Sequence, residues 1–161
     1  MRTGYEQVAG LDEALVRVRE LAAQTVVFDI EPLIAHWDSD QAALDSGVAR
    51  ILAQAAAVPE VKVICFATNA LRRPSEVPGQ AGARVVYFAA AGKPLRTSLY
   101  DGFPRPGAVV GDQLATDGIL AWRLGYVFLQ CPPPPGRVPA GPRLMKKLGS
   151  LVRPLLFTRP G

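Results

Sequence analysis

Six residues of the chain are of types that could do chemistry together: Asp29, Thr68, Asn69, Lys93, Asp112 and Asp117. Asp29 closes the run TVVFD, Thr68 and Asn69 follow VKVICFA, Lys93 comes shortly after RVVYFA, and Asp112 closes GAVVGD. Asp117 falls in the first turn of the helix expected after Asp112. Two carboxylates such as Asp29 and Asp112, facing each other from neighbouring strands, repel strongly unless a cation lies between them. Carboxylate oxygens and a backbone carbonyl suit Mg²⁺, which keeps some of its waters and accepts phosphate oxygens. Lys93, the Thr68 hydroxyl and free backbone N–H groups at the start of a helix expected after Asn69 would then hold a dianion. This is the chemistry of a phosphate site, and a carboxylate within it can act as nucleophile by forming an acyl phosphate that water hydrolyses.

The elements that position these residues follow from the apolar runs. TVVFD (25–29), VKVICFA (61–67), RVVYFA (84–89), GAVVGD (107–112) and GYVFLQ (125–130) are β-branched or continuously apolar, as strands buried on both faces of a parallel sheet must be. Residues 11–22 place Leu11, Leu15, Val18 and Leu21 or Ala22 at helical spacing. Further helices are predicted at 41–57, which is Ala-rich, and at 70–81, 94–103 and 114–124. Strand and helix alternate, which predicts right-handed crossovers and an open α/β sheet of five strands. In such a sheet loops at the carboxyl ends of the strands carry the chemistry, and the residues above lie there.

A length of 161 residues fits one domain. With 49% hydrophobic and 20% charged residues the composition is globular and not disordered. Cys65 and Cys131 form neither a CxxC pair nor a small disulfide framework, so both read as reduced packing residues of a cytoplasmic protein. Acidic residues within the first 25 positions argue against a secretory signal, and no run approaches the roughly 20 apolar residues of a membrane span.

The motifs resemble those of the haloacid dehalogenase-like (HAD) superfamily. Its DxDx[TV] motif is similar to Asp29-Ile30-Glu31-Pro32-Leu33, its Ser or Thr after strand two to Thr68-Asn69, its Lys to Gly92-Lys93-Pro94, and its acidic motif to GDQLATD, Gly111 to Asp117. AHWD (35–38) and RLG (123–125) add a resemblance to the subgroup IIIA phosphatases of the phosphatidylglycerophosphate phosphatase type. The resemblance covers about residues 11–131. It implies a three-layer Rossmann-like fold, a five-stranded parallel sheet flanked by helices with no cap domain, and Mg²⁺-dependent hydrolysis of a phosphomonoester through an aspartyl phosphate. Asp29 is then the nucleophile, and Thr68, Asn69 and Lys93 hold the phosphoryl group. The metal falls to Asp29, Glu31 through its main-chain carbonyl, Asp112 and Asp117.

The family's second aspartate, which gives a proton to the leaving alcohol and takes one from water, corresponds to Glu31, and Leu33 stands where Thr is expected. One extra methylene moves a carboxyl by roughly 1.5 Å, and misplacement by about 1 Å can cost on the order of 100-fold. Two readings follow: a working phosphatase with Glu31 as acid and base, or a HAD-fold protein repurposed for binding. His36 reads as a loop or capping residue, Trp37 as packing or lining the site mouth, and Arg72 and Arg73 as steering an anion or facing solvent. Without room for a cap the site is expected to be open, which suits a lipid headgroup, a protein or a polynucleotide, unless a homo-oligomer covers it.

The net charge of +4 is unevenly placed. Residues 1–131 hold twelve basic and fourteen acidic residues, a net of −2, whereas 132–161 hold six basic and no acidic ones, +6. Pro132 to Pro135 form a stiff spacer that predicts a mechanically separate tail. Within it, residues 142–157 can fold as a basic amphipathic helix, broken near Gly149 and Pro154. Such a segment binds an anionic membrane surface, or packs on the body or a second subunit. With few aromatics it is a poor nucleic-acid binder. The chain is thus expected to be cytoplasmic, free or peripheral on a membrane.

Overall fold

The computed structural model describes residues 4–157. Its strands are β1 (Tyr5–Gln7), β2 (Thr25–Asp29), β3 (Val63–Ala67), β4 (Arg84–Phe88), β5 (Gly107–Gly111) and β6 (Val127–Gln130). The helices are α1 (Leu11–Glu20), α2 (Gln41–Ala56), α3 (Ile119–Leu124) and α4 (Ala140–Leu156). All strand pairs are parallel, in the order β1-β6-β5-β2-β3-β4. The fold is α/β and roughly Rossmann-like, with six strands where five were expected.

Alternation along the strands sorts the core into two halves. Val26, Phe28, Ile64, Phe66 and Val110 pack with α1 and α2 on one face. Val27, Cys65, Val109 and Phe128 pack on the other with α3, a 3₁₀ turn at Thr97–Tyr100 and Phe157 just past α4. Every residue of β2, β3 and β5 is buried, as a sheet covered on both faces requires.

The extra strand, β1, has only three residues, YEQ, and carries no apolar run. Pairing with β6 makes it a strand: Tyr5 lies opposite Phe128, and its hydroxyl donates to Gln130 Oε1 at 2.6 Å. The helix predicted at 70–81 does not form. Pro74 disfavours helical backbone at Arg73, and Pro78-Gly79 interrupts the remainder. This segment is a loop fastened to α2 by Ser75, whose N–H and hydroxyl donate to the Asp45 carboxylate at 2.8 and 2.7 Å. The helix predicted at 94–103 contracts to the 3₁₀ turn, and that at 114–124 opens with a π-helical turn, Leu114–Gly118, before α3.

The tail departs most from expectation. It is one continuous helix through Gly149 and Pro154, where a break was expected, and of the alternatives weighed for its apolar face one side packs on the body. Gly149 is the point of closest approach: a Cβ there would stand 3.0 Å from the Ala115 amide nitrogen and 3.3 Å from Leu114 Cβ. Past the helix, the Phe157 ring sits 5.4 Å from that of Tyr5 and 6.4 Å from that of Phe128. Packing of the inner face outweighs the glycine and the one hydrogen bond lost at Pro154. No helix among the described residues is long and apolar enough to cross a membrane.

Candidate active site

From β2 the chain moves outward through β3 to β4, then crosses back to place β5 on the other side of β2. The order reverses between β2 and β5, so a crevice opens at their carboxyl ends. Asp29 is the last residue of β2 and Asp112 the first after β5. The π-helical turn brings Asp117 back over the end of β5. Gly111 makes room for it, because a Cβ at that position would collide with the Asp117 carboxyl group.

Asp29, Asp112 and Asp117 each offer a carboxylate oxygen, and these atoms lie within 4.8 Å of one another, all on buried residues. Lys93 reaches in from the loop after β4 and donates to Asp29 Oδ1 at 2.6 Å and to Asp117 Oδ1 at 2.7 Å. One ammonium among three carboxylates leaves the cluster short of positive charge. Accordingly, burial and then the charge of Asp117 lift the Asp112 carboxyl to about 7 and hold that of Asp29 well above the carboxylate range. Burial alone would lower the Lys93 ammonium, yet Asp117 and Asp29 hold it above its ordinary value. Asp112 Oδ1 is buried and has no hydrogen-bond partner. Buried hard-oxygen donors with an unpartnered oxygen fit a divalent cation of the Mg²⁺ type.

Glu31 is placed differently from the aspartates. Its carboxylate accepts from the Thr68 hydroxyl at 2.6 Å and lies 3.8 Å from the Arg72 guanidinium. Its side chain is therefore not part of the acidic trio. Thr68 gives its one hydroxyl proton to Glu31 and accepts from the Ala70 amide at 3.0 Å. The expected helix-start amides after Asn69 do not exist, because no helix follows. The Asn69 carboxamide is occupied too: it accepts from the Lys93 amide at 2.8 Å and donates to the Lys93 carbonyl at 3.0 Å. In this arrangement Asn69 is a positioning residue for Lys93.

Arg72 neither faces solvent on a helix nor points at the acidic centre. Its guanidinium donates to the carbonyls of His36 and Ser39, at 2.8 and 3.2 Å, and so straps down the loop that follows Glu31. Gly47 lets the same loop rest on α2, since a Cβ there would be 2.5 Å from the Ile34 carbonyl oxygen. His36 pairs with Asp38 through Nδ1, and Trp37 lines the cleft.

The cleft in front of Asp29 has a volume of about 370 Å³. Its floor holds Asp29, Glu31, Thr68 and Lys93, and Pro139, Pro142 and Met145 form a wall. Thus the tail, expected to be separate, supplies one side of a site that was expected to be open. Two further supports had no signal in the sequence. Gln130 donates to the Asp112 carbonyl at 2.9 Å and accepts from Tyr5, so the unforeseen strand β1 braces the acidic centre. Met145 reaches the cleft only through the packing of α4. No protein-family model, curated protein or solved structure matches the chain.

Proposed function

We propose that the protein is a Mg²⁺-dependent phosphomonoesterase of the HAD type that acts through an aspartyl phosphate on Asp29. The observation that carries this reading is the buried trio Asp29, Asp112 and Asp117 at the switch point of the sheet, with Lys93 bonded to two of its members. A divalent cation held there by the three aspartates would draw charge from the phosphoryl oxygens.

The roles of the chain's own atoms follow from their partners. Asp29 Oδ1 accepts from Lys93 Nζ and, at 3.0 Å, from the Ile30 amide. Oδ2 is thereby left as the attacking oxygen. It bonds to phosphorus as the ester P–O bond breaks, and the leaving oxygen takes the proton of a protonated Glu31. The Glu31 carboxylate then removes a proton from water, whose oxygen attacks the phosphorus of the acyl phosphate. Asp29 and inorganic phosphate are released. Thr68 and Arg72 orient Glu31 for both proton transfers, and Lys93 offsets the charge that Asp29 and the phosphoryl group bring together. The subgroup resemblance makes a phospholipid phosphate such as phosphatidylglycerophosphate the substrate to try first.

Turnover of a phosphomonoester in Mg²⁺ and in EDTA tests the reading. Activity is expected only with metal, and equal rates in both would reject it. Mg²⁺ at about 100 times its dissociation constant should also stabilise the fold by about 2.7 kcal/mol, read as a rise in melting temperature that EDTA reverses.

A second reading, a HAD-fold protein repurposed for binding, is favoured by one observation: Thr68 gives its proton to Glu31, not to the cleft. Glu31→Asp separates the two. In a working enzyme tuned to Glu31 the shorter side chain loses contact with Thr68, and kcat should fall by about 10- to 100-fold. A gain of activity would mark Glu31 as an impairment, and no activity in either form would favour the binding role.

A further inference from the structure

Helix α4 is apolar on two adjoining faces, and the fold uses only one of them. At 3.6 residues per turn Met145, Gly149, Val152 and Leu156 fall within an arc of about 60°, the face laid on the body. Leu144, Leu148, Leu151 and Leu155 occupy a second arc of about 60° beside it. These four leucines are 59%, 47%, 70% and 81% exposed. A contiguous row of this kind is not ordinary surface. Arg143 and Lys147, both exposed, border the row on the side away from the body. The remaining cations of the helix lie on its opposite flank, beside the body: Arg153 stacks over the Tyr5 ring at 4.7 Å, and Lys146 lines a cavity with Asp112.

From this arrangement we infer that α4 is an in-plane docking helix for an anionic lipid bilayer. The leucine row enters the acyl boundary, and Arg143 and Lys147 meet the headgroup phosphates. Charge selects this occupant: no acidic residue follows Asp117, so every charge on the helix itself is positive. A second copy pairing through the same face would bring two such cationic borders together, along a leucine row only about 17 Å long. An anionic surface instead satisfies both the leucines and the cations. Leu71 and Leu95 are also exposed, each two residues beyond a cleft residue, Asn69 and Lys93. Because Pro142 and Met145 of α4 wall the cleft, docking sets its mouth at the headgroup layer. The inference stands apart from the phosphatase reading, since binding is measured without turnover.

The test is co-sedimentation of the full chain with vesicles of phosphatidylcholine alone and of phosphatidylcholine and phosphatidylglycerol in equal parts. The wild type should pellet with the anionic vesicles and far less with the neutral ones. Leu148→Glu/Leu151→Glu and Arg143→Glu/Lys147→Glu, checked for native circular dichroism, should each weaken binding by at least about tenfold. Failure of the wild type to pellet would overturn the inference. So would unchanged binding by the leucine variant, which would mean adsorption by charge alone. A light-scattering mass of two chains that falls to one in the leucine variant would assign the row to a second copy and overturn it likewise.

Discussion

Asp29→Asn is expected to abolish phosphomonoester turnover, by at least about 10⁴-fold, as loss of a covalent nucleophile does elsewhere. The amide matches the carboxylate in size and can still accept from Lys93 through Oδ1, so the cleft keeps its shape. What it lacks is an oxygen able to form the acyl phosphate. The variant should not be less stable. Burial and the neighbouring Asp117 make ionisation of Asp29 unfavourable in the folded chain, and a neutral group removes that repulsion. A melting temperature equal to or above that of the wild type, together with no turnover in Mg²⁺, would place the loss in the chemical step. Equal rates for the two proteins would remove Asp29 from the mechanism.

Lys93→Met should be the most destabilising single change at the site. Its ammonium is buried and bonded to two buried carboxylates, so its removal leaves both without a counter-charge, at a cost of about 3–5 kcal/mol. Urea denaturation in EDTA measures this. The deficit should shrink on acidification, and the sign follows from linkage. Asp29 and Asp112 have carboxyl values raised above the unfolded range, the latter to about 7, so the folded chain binds more protons than the unfolded one. Such groups favour folding at low pH, and that contribution is lost as pH rises through their folded values. Without Lys93 these values rise further. The variant should therefore be closer to the wild type at pH 5 than at pH 8, and a deficit independent of pH would contradict this account of the cluster.

Five of the six strands were legible as apolar or β-branched runs, and in β2, β3 and β5 burial on both faces leaves the plainest record, as in TVVFD or VICFA. Strand ends then located Asp29, Thr68, Lys93 and Asp112 without knowledge of the strand order, and the π-helical turn places Asp117 beside them. What the sequence did not disclose depends on partners distant along the chain. β1 is a strand because β6 lies 123 positions beyond it, Tyr5 against Phe128. The side-chain partners of Glu31, Thr68 and Asn69 were equally hidden, since residue type fixes what a group can bond, not what it does bond. Gly149 was misread for a related reason. A glycine within a helix signals weakness when seen alone, and close approach when a neighbouring turn lies 3.0 Å from where its Cβ would be. The stretch 70–81 could have been read correctly, because Pro74 and Pro78 already oppose a helix there.

The bond pattern around Asn69 has a mechanical meaning. Beyond the last paired residues of β3 and β4, the Thr68 amide donates to the Phe88 carbonyl and the Ala91 amide to that of Thr68, both at 2.9 Å. The Asn69 carboxamide then exchanges a donor and an acceptor with Lys93, as a facing peptide unit would. The ladder of the sheet is thus continued, first by backbone and then by one side chain, into loops that are ordinarily the most mobile part of such folds. Stiffness generated in the core is transmitted to the residue bearing the ammonium. The entropy of aligning that charge with Asp29 is lost when the domain folds, and little of it remains to be lost when a ligand arrives.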